Sequence, residues 1–148
     1  MNQYFDKGLK TILICFFVLA GINGCKDDYN SVVPYVRVYL DINLANRTEL
    51  NPIGGFFKVN GGFGGIIVFH DLADSSNPFL AYDAACTYDL PAVYSVVAEE
   101  GTGVATCPKC GSQFILFSAN GSPIKGPATE PLKQYQTTFS GSLISVRN

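Results

Sequence analysis

Short apolar segments, separated by glycine, proline and polar turns, constrain the fold of this chain more than any other feature. Residues 36–42 alternate apolar and polar side chains with a period of two, which is typical of a strand with one buried face. Residues 63–70 form a more continuous apolar segment. No window has sustained helical periodicity, so the sequence predicts an all-β fold.

Further strands are predicted between turn residues along the rest of the chain. A polar turn at residues 74–78 precedes a strand at 79–82, and Ser140-Gly141 marks a hairpin. The 15 glycines and eight prolines of the chain agree with short strands and tight turns. The remaining predicted strands are 92–97, 113–117, 135–139 and 143–146.

The N-terminal segment has the features of a secretory signal. Lys7 and Lys10 precede an apolar run at residues 11–20, which is too short for a membrane-crossing helix of about 20 residues. We therefore expect residues 1–24 to be an export signal and residues 25–148 to form one domain.

The predicted signal ends at Gly24. The segment Ile22-Asn23-Gly24-Cys25, which spans this end, resembles the lipobox of bacterial lipoproteins. The resemblance implies that Cys25 becomes the lipid-modified first residue of the mature protein. We therefore expect a protein of the bacterial cell envelope that is held to the membrane by the lipid on Cys25, and we expect the outer membrane. The alternative is an ordinary secreted protein in which Cys25 is incidental.

Composition excludes several classes of function. The formal net charge of −2 implies no nucleic-acid partner. The single histidine, His70, leaves few ways to build a serine–histidine–carboxylate site, and it is expected to be a partly buried residue at a strand end. The glycine cluster at residues 61–65 runs into a strand rather than opening a helix, which favours a bend over a phosphate site.

Three cysteines remain after the signal is removed and Cys25 is modified. They are Cys86, Cys107 and Cys110, and an odd number of thiols cannot pair completely as disulfides. A shared site is the simplest reason for three thiols in an exported protein. We therefore predict that the three sulfurs meet at one place.

Two loops carry these cysteines, Cys86-Thr87-Tyr88 and Cys107-Pro108-Lys109-Cys110, and their flanks occur in a recognisable order. With residues 79–83 before the first loop, and 111–114, 120–121 and 126–135 after the second, they resemble a Rieske [2Fe–2S] domain. The resemblance covers residues 79–146, about half of the chain. In that family the two loops read C-x-H and C-x-x-H.

The resemblance implies a fold, a function and a set of ligands. The fold is an antiparallel β-sandwich with a small inserted cluster-binding subdomain at about residues 84–113. The function is electron transfer to a redox partner protein, without catalysis by this chain. The implied [2Fe–2S] ligands are Cys86, Cys107 and Cys110, with Tyr88 near the fourth position, and Ser112 is expected to donate a hydrogen bond to a ligand sulfur.

Two of these positions depart from the family pattern, because Tyr88 and Cys110 stand where the family has histidines. Rieske ligation by two cysteines and two histidines is therefore excluded. Anionic ligands in place of neutral imidazoles disfavour reduction. The expected potential of a cluster falls toward about −400 mV, the value of all-cysteine ferredoxins.

Two other uses of the cysteines stay open. Zinc favours four ligands, so three cysteines and an oxygen from Asp83 or Asp89 are one alternative. A disulfide within the C-x-x-C segment, or bare thiols, is the other. In both cases the protein would be a surface lipoprotein with a binding or structural role.

Overall fold

The structure, a computed structural model, describes residues 31–72, 76–91, 94–118 and 121–148. The predicted signal at 1–24 and the predicted lipid-modified Cys25 lie outside these residues. Within the described ranges, two short 3₁₀ helices span Leu44–Asn46 and Thr48–Leu50. The strands are β1 Tyr39–Asn43, β2 Phe56–Val59, β3 Ile66–His70, β4 Phe79–Asp83, β5 Val97–Glu99, β6 Val104–Thr106, β7 Gln113–Ile115, β8 Pro123–Lys125, β9 Gln134–Ser140 and β10 Leu143–Arg147.

The strands form two antiparallel sheets. The larger sheet has the order β1-β10-β9-β4-β3-β2, and the smaller has the order β5-β6-β7-β8. Strand β9 joins the two halves of the larger sheet, because Tyr135 pairs with Ala81 of β4 while Gln136–Ser140 pair with β10. The predicted all-β, antiparallel architecture is confirmed.

The middle strands β3 and β4 are buried on both faces, which explains the continuous apolar run in β3. Ile66 and Val68 of β3 contribute to one apolar cluster together with Ile144 of β10. Ile67 and Phe69 point into a second cluster, which lies against the smaller sheet. Because side chains of a strand alternate between faces, a strand buried on both sides cannot show a polar alternation.

The second cluster positions the cysteines. It contains Cys86 and Cys107 among apolar side chains from both sheets, and Cys110 packs against it. The smaller sheet is therefore attached to the larger one through the same core that buries two of the thiols. This sheet includes β7 and β8, so it extends past residue 113 to Lys125.

Most predicted strands occur in the structure with shifted ends. Of the strand predicted at 92–97, the structure describes residues 94–97, and of these only Val97 belongs to a regular strand, although Ser95 makes an isolated bridge to Ala85. The sequence patterns described above do not predict strands β2, β6 and β8. Strands β6 and β8 have only three residues each, and such short strands depend on their neighbours for pairing.

Within the part of the chain that the structure describes, no helix is both long enough and apolar enough to cross a membrane.

Candidate metal centre

The first cysteine lies in a turn that follows β4. The amide of Cys86 donates to the carbonyl of Tyr94 at 2.8 Å, and Ala85 bridges to Ser95. These contacts hold the two ends of the 86–94 segment together. The side chain of Cys86 is fully buried.

The buried carboxylate of Asp83 anchors the start of this turn. It accepts hydrogen bonds from the amides of Phe63 at 2.6 Å, Gly64 at 2.8 Å and Ala85 at 2.9 Å. It also accepts one from the hydroxyl of Tyr135 at 2.7 Å. The glycine cluster is thus a bend before β3, as predicted, and its amides bind an anion that belongs to the chain itself.

The other two cysteines lie in the tight turn between β6 and β7. The amide of Cys107 donates to the carbonyl of Ser112 at 2.8 Å, and the amide of Gly111 donates back to the carbonyl of Cys107 at 2.9 Å. Gly111 has a φ of +75°, a conformation that L side chains rarely adopt. The turn therefore aims both Cys107 and Cys110 toward the first turn.

Residues 126–132 contact both cysteine turns. The hydroxyl of Thr87 donates to the carbonyl of Glu130 at 2.7 Å. The amide of Ala128 donates to the hydroxyl oxygen of Ser112 at 2.9 Å. This segment therefore links the first turn to the second through the main chain.

Four side chains converge between the two turns. The sulfurs of Cys86, Cys107 and Cys110 and a carboxylate oxygen of Asp89 all lie within 4.8 Å of one another. The Sγ atoms of Cys86 and Cys110 are 3.5 Å apart, and the Sγ of Cys107 is 3.6 Å from an Oδ atom of Asp89. Cys86 and Cys107 are buried, while Asp89 and Cys110 are partly exposed, so one side of the group faces solvent.

The thiols of Cys86 and Cys110 differ in acidity. Burial, followed by the hydrogen bond with Cys107, raises the pKa of Cys86 to about 12. Burial acts to raise the pKa of Cys110, but hydrogen bonds from the hydroxyl and amide of Ser112, and then from Cys86 and Cys107, together lower that pKa. The Oγ of Ser112 is 3.1 Å from the Sγ of Cys110, and either atom could be the donor.

The group of four side chains does not include three residues considered in the sequence, Tyr88, Asp83 and His70. The side chain of Tyr88 is 56% exposed, and its main-chain amide interacts with the Cys86 sulfur. Asp83 is engaged by the hydrogen bonds described above and does not belong to the group of four. His70 ends β3, where its Nδ1 is 2.8 Å from the carbonyl oxygen of Leu50. It is a partly buried strand-end residue, as predicted.

The position of Asp89 relative to Cys86 is a pattern that the sequence analysis did not use. Cys86-x-x-Asp89 has the same spacing as Cys107-x-x-Cys110. The segment 86–89 does not match a C-x-x-C pattern, because a carboxylate takes the place of the second thiol. The sequence indicates Asp89 only as one of two alternative oxygen ligands for zinc, beside Asp83.

Several solved structures are similar to this chain. A scan against protein-family models finds no match, and no curated protein sequence matches it either. The cyanobacterial plasma membrane Rieske protein PetC3 from Synechocystis matches 77% of this chain and 100% of its own, with 27% identity and a TM-score of 0.55. This chain has a Rieske-like fold.

Two further Rieske-fold neighbours agree with this assignment. The ferredoxin of carbazole 1,9a-dioxygenase from Nocardioides aromaticivorans matches 76% of this chain and 98% of its own, with 19% identity and a TM-score of 0.51. A ferredoxin in complex with the oxygenase of a carbazole 1,9a-dioxygenase matches 76% of this chain and 94% of its own, with 21% identity and a TM-score of 0.52. These two neighbours are ferredoxins, and they share the Rieske-like fold of this chain. In this chain the four-residue group lies between the two cysteine turns of that fold.

Proposed function

We propose that this protein is a lipid-anchored electron carrier of the bacterial cell envelope with a metal centre at Cys86, Cys107 and Cys110. The observation that supports it best is the convergence of three thiol sulfurs from two separate turns on a Rieske-like scaffold. Thiolates are the usual protein ligands of iron in electron-transfer centres. A bound iron ion or cluster supplies the exchange of one electron.

The cofactor that the family resemblance implies is a [2Fe–2S] cluster, and the residues fit it only in part. Three thiols suit iron, but Cys86 and Cys110 occupy positions that bind different irons in the family. Ligands of different irons lie on opposite sides of the cluster, whereas these two sulfurs are 3.5 Å apart. The separation of these two sulfurs therefore does not match ligands of two different irons in one cluster.

The partner in this proposal is another redox protein. One neighbour is a ferredoxin in complex with an oxygenase, which supports a carrier that delivers electrons to a separate protein. The partly exposed side of the group, formed by Asp89 and Cys110, is where a partner would approach the centre. The chain itself is proposed to have no catalytic residue.

Membrane attachment is proposed to occur through the lipid on Cys25. The support is the export signal at residues 1–24 and the small residue before Cys25. The proposed location is the outer membrane. No nucleic-acid partner is proposed for a chain with a net charge of −2.

The test is redox titration of full-length protein purified from membranes without oxygen. We expect bound iron, a reversible one-electron transition and loss of both in a variant with all three site cysteines changed to serine. Cys25→Ser is the matched control, because it removes a cysteine outside the site and should release the protein from membranes while keeping the metal. A redox-silent preparation, either metal-free or loaded with zinc, contradicts the proposal and favours a binding or structural lipoprotein.

A further inference from the structure

We propose that Cys86, Asp89, Cys107 and Cys110 bind a single four-coordinate metal ion rather than a two-iron cluster. The inference deepens the proposed function, because it names the kind of metal centre in the same site. The ion is one that thiolates select, iron or zinc. Three thiolates and one carboxylate supply its four ligands.

The spacing of the four ligand atoms matches one ion. Ligands held about 2.3 Å from a tetrahedral ion lie about 3.8 Å from one another. The Cys86–Cys110 and Cys107–Asp89 distances are 3.5 Å and 3.6 Å, and every pair in the group is within 4.8 Å. All four atoms can therefore reach a common centre with small side-chain adjustments.

The two turns provide ligands in the same way. Each gives its first and fourth residues, Cys86 and Asp89 in one turn and Cys107 and Cys110 in the other. In the second turn the hydroxyl of Ser112 lies 3.1 Å from the Cys110 sulfur. A polar neighbour of this kind helps to orient a ligand.

The phenol of Tyr88 is not needed in this arrangement. Its position in the chain matches a ligand of the second iron in the family, but its side chain is 56% exposed. Asp89, one residue later, brings a carboxylate to the three sulfurs instead. The shift by one residue changes the first turn from C-x-H spacing to C-x-x-D spacing.

The described cysteines form no disulfide, within the C-x-x-C turn or between the two turns. Cys86, Cys107 and Cys110 are all free thiols, and the Sγ atoms of Cys86 and Cys110 are 3.5 Å apart. Three free thiols beside a carboxylate are a donor set that zinc and iron accept.

The experiment combines stoichiometry with three variants of the full-length protein. Metal and acid-labile sulfide are measured on protein purified without oxygen, and the metal-stripped protein is then titrated with Co²⁺, whose visible absorption reports tetrahedral thiolate ligation. We expect one iron or zinc per chain, no labile sulfide and one Co²⁺ per chain. Asp89→Ala should weaken Co²⁺ binding by about 10-fold or more, since even outer-shell losses reach that size.

Two variants discriminate between the ligand sets, and one is a control. Asp89→Cys completes a four-cysteine site, so it should keep the one-to-one stoichiometry and change the Co²⁺ spectrum. Tyr88→Phe should leave the affinity within about two-fold if the phenol is not a ligand. Asp41→Ala, a substitution of an exposed aspartate in β1 outside the site, should leave Co²⁺ affinity and stoichiometry unchanged.

The outcomes separate this inference from the proposed function. One zinc per chain supports the single-ion site and contradicts electron transfer, and one redox-active iron supports both. Two irons with labile sulfide, or loss of metal in Tyr88→Phe, overturns the single-ion site while electron transfer stands. Protein that binds neither its own metal nor Co²⁺ overturns both.

Discussion

The hydroxyl of Tyr135 donates to the buried carboxylate of Asp83 across 2.7 Å, and this contact joins β9 to the residue that precedes the first cysteine turn. The same carboxylate accepts the amides of Phe63 and Gly64 from the glycine-rich bend. Three segments distant in sequence therefore meet at one anion, only three residues before Cys86.

Tyr135→Phe should reduce stability at neutral pH and remove part of the loss of stability in alkali. Removing the donor costs about 1–3 kcal/mol, because a buried carboxylate oxygen loses a partner. Burial, followed by the hydrogen bond and charge of Asp83, raises the pKa of Tyr135 above its ordinary value of 10.0. The unfolded chain therefore loses this proton above about pH 10 while the folded chain keeps it, and stability falls by about 1.4 kcal/mol per pH unit for one such group.

Urea unfolding from pH 7 to pH 11 tests this prediction. Tyr82→Phe is the matched comparison, because burial raises the pKa of Tyr82 as well, but its hydroxyl donates to the carbonyl of Leu116 rather than to a carboxylate. In each variant, the contribution of one tyrosine to the loss of stability above about pH 10 should be absent. An alkaline slope in Tyr135→Phe equal to that of the unmodified protein would contradict the assignment.

Gly64→Ala should destabilise the protein and loosen the first cysteine turn. A Cβ atom at this position would lie 2.5 Å from the backbone nitrogen of Ala85, which cannot move without shifting Cys86. Overpacking of this kind typically costs about 1–3 kcal/mol. The expected results are a lower urea midpoint and weaker Co²⁺ binding.

Gly126→Ala is the control for that substitution, because a Cβ atom there would meet nothing closer than 3.9 Å. It should keep both the urea midpoint and the Co²⁺ affinity. Equal effects from the two alanines would show that the close approach of Gly64 to Ala85 does not position the site.

Ser112→Ala should lower stability even without metal. Ser112 is fully buried, and its hydroxyl oxygen accepts the amide of Ala128 while lying 3.1 Å from the Cys110 sulfur. The substitution leaves a buried amide without its acceptor, at a cost of about 1–3 kcal/mol. Denaturation of metal-stripped protein measures this cost, and the exposed Ser142→Ala is the control. An unchanged midpoint would mean that residues 126–132 are held to the second turn by other contacts.

The pair of Asp41 and Arg147 should stabilise the β1–β10 edge in a pH-dependent way. The hydrogen bond from Ser145, followed by the one from Arg147 at 2.6 Å, lowers the pKa of Asp41 below its ordinary value of 3.8. A lowered pKa gives stability that is present above about pH 4 and is lost as pH falls through the folded-state value. A double-mutant cycle of Asp41→Asn and Arg147→Gln should therefore give a small coupling at pH 7 that disappears in acid. A coupling that is equal at both pH values would refute the electrostatic origin.

The fold could be predicted in class and order but not in every strand. Alternation at 36–42 is visible in the sequence, and it is typical of a strand with one buried face. The segment 92–97 is apolar as well, yet of its described residues, 94–97, only Val97 belongs to a regular strand. Strands and the loops that support a site both place apolar residues in the core, so composition alone does not distinguish a strand from such a loop.

The candidate site shows the same division between sequence and structure. The sequence by itself determined that three thiols are available, that two of them share a C-x-x-C turn and that both ligand histidines of the Rieske pattern are absent. Only the tertiary structure decided that Asp89, and not Asp83, joins the sulfurs. The physical reason is that Asp83 is engaged by amides and a hydroxyl from distant segments, and the packing of two sheets brings those partners together.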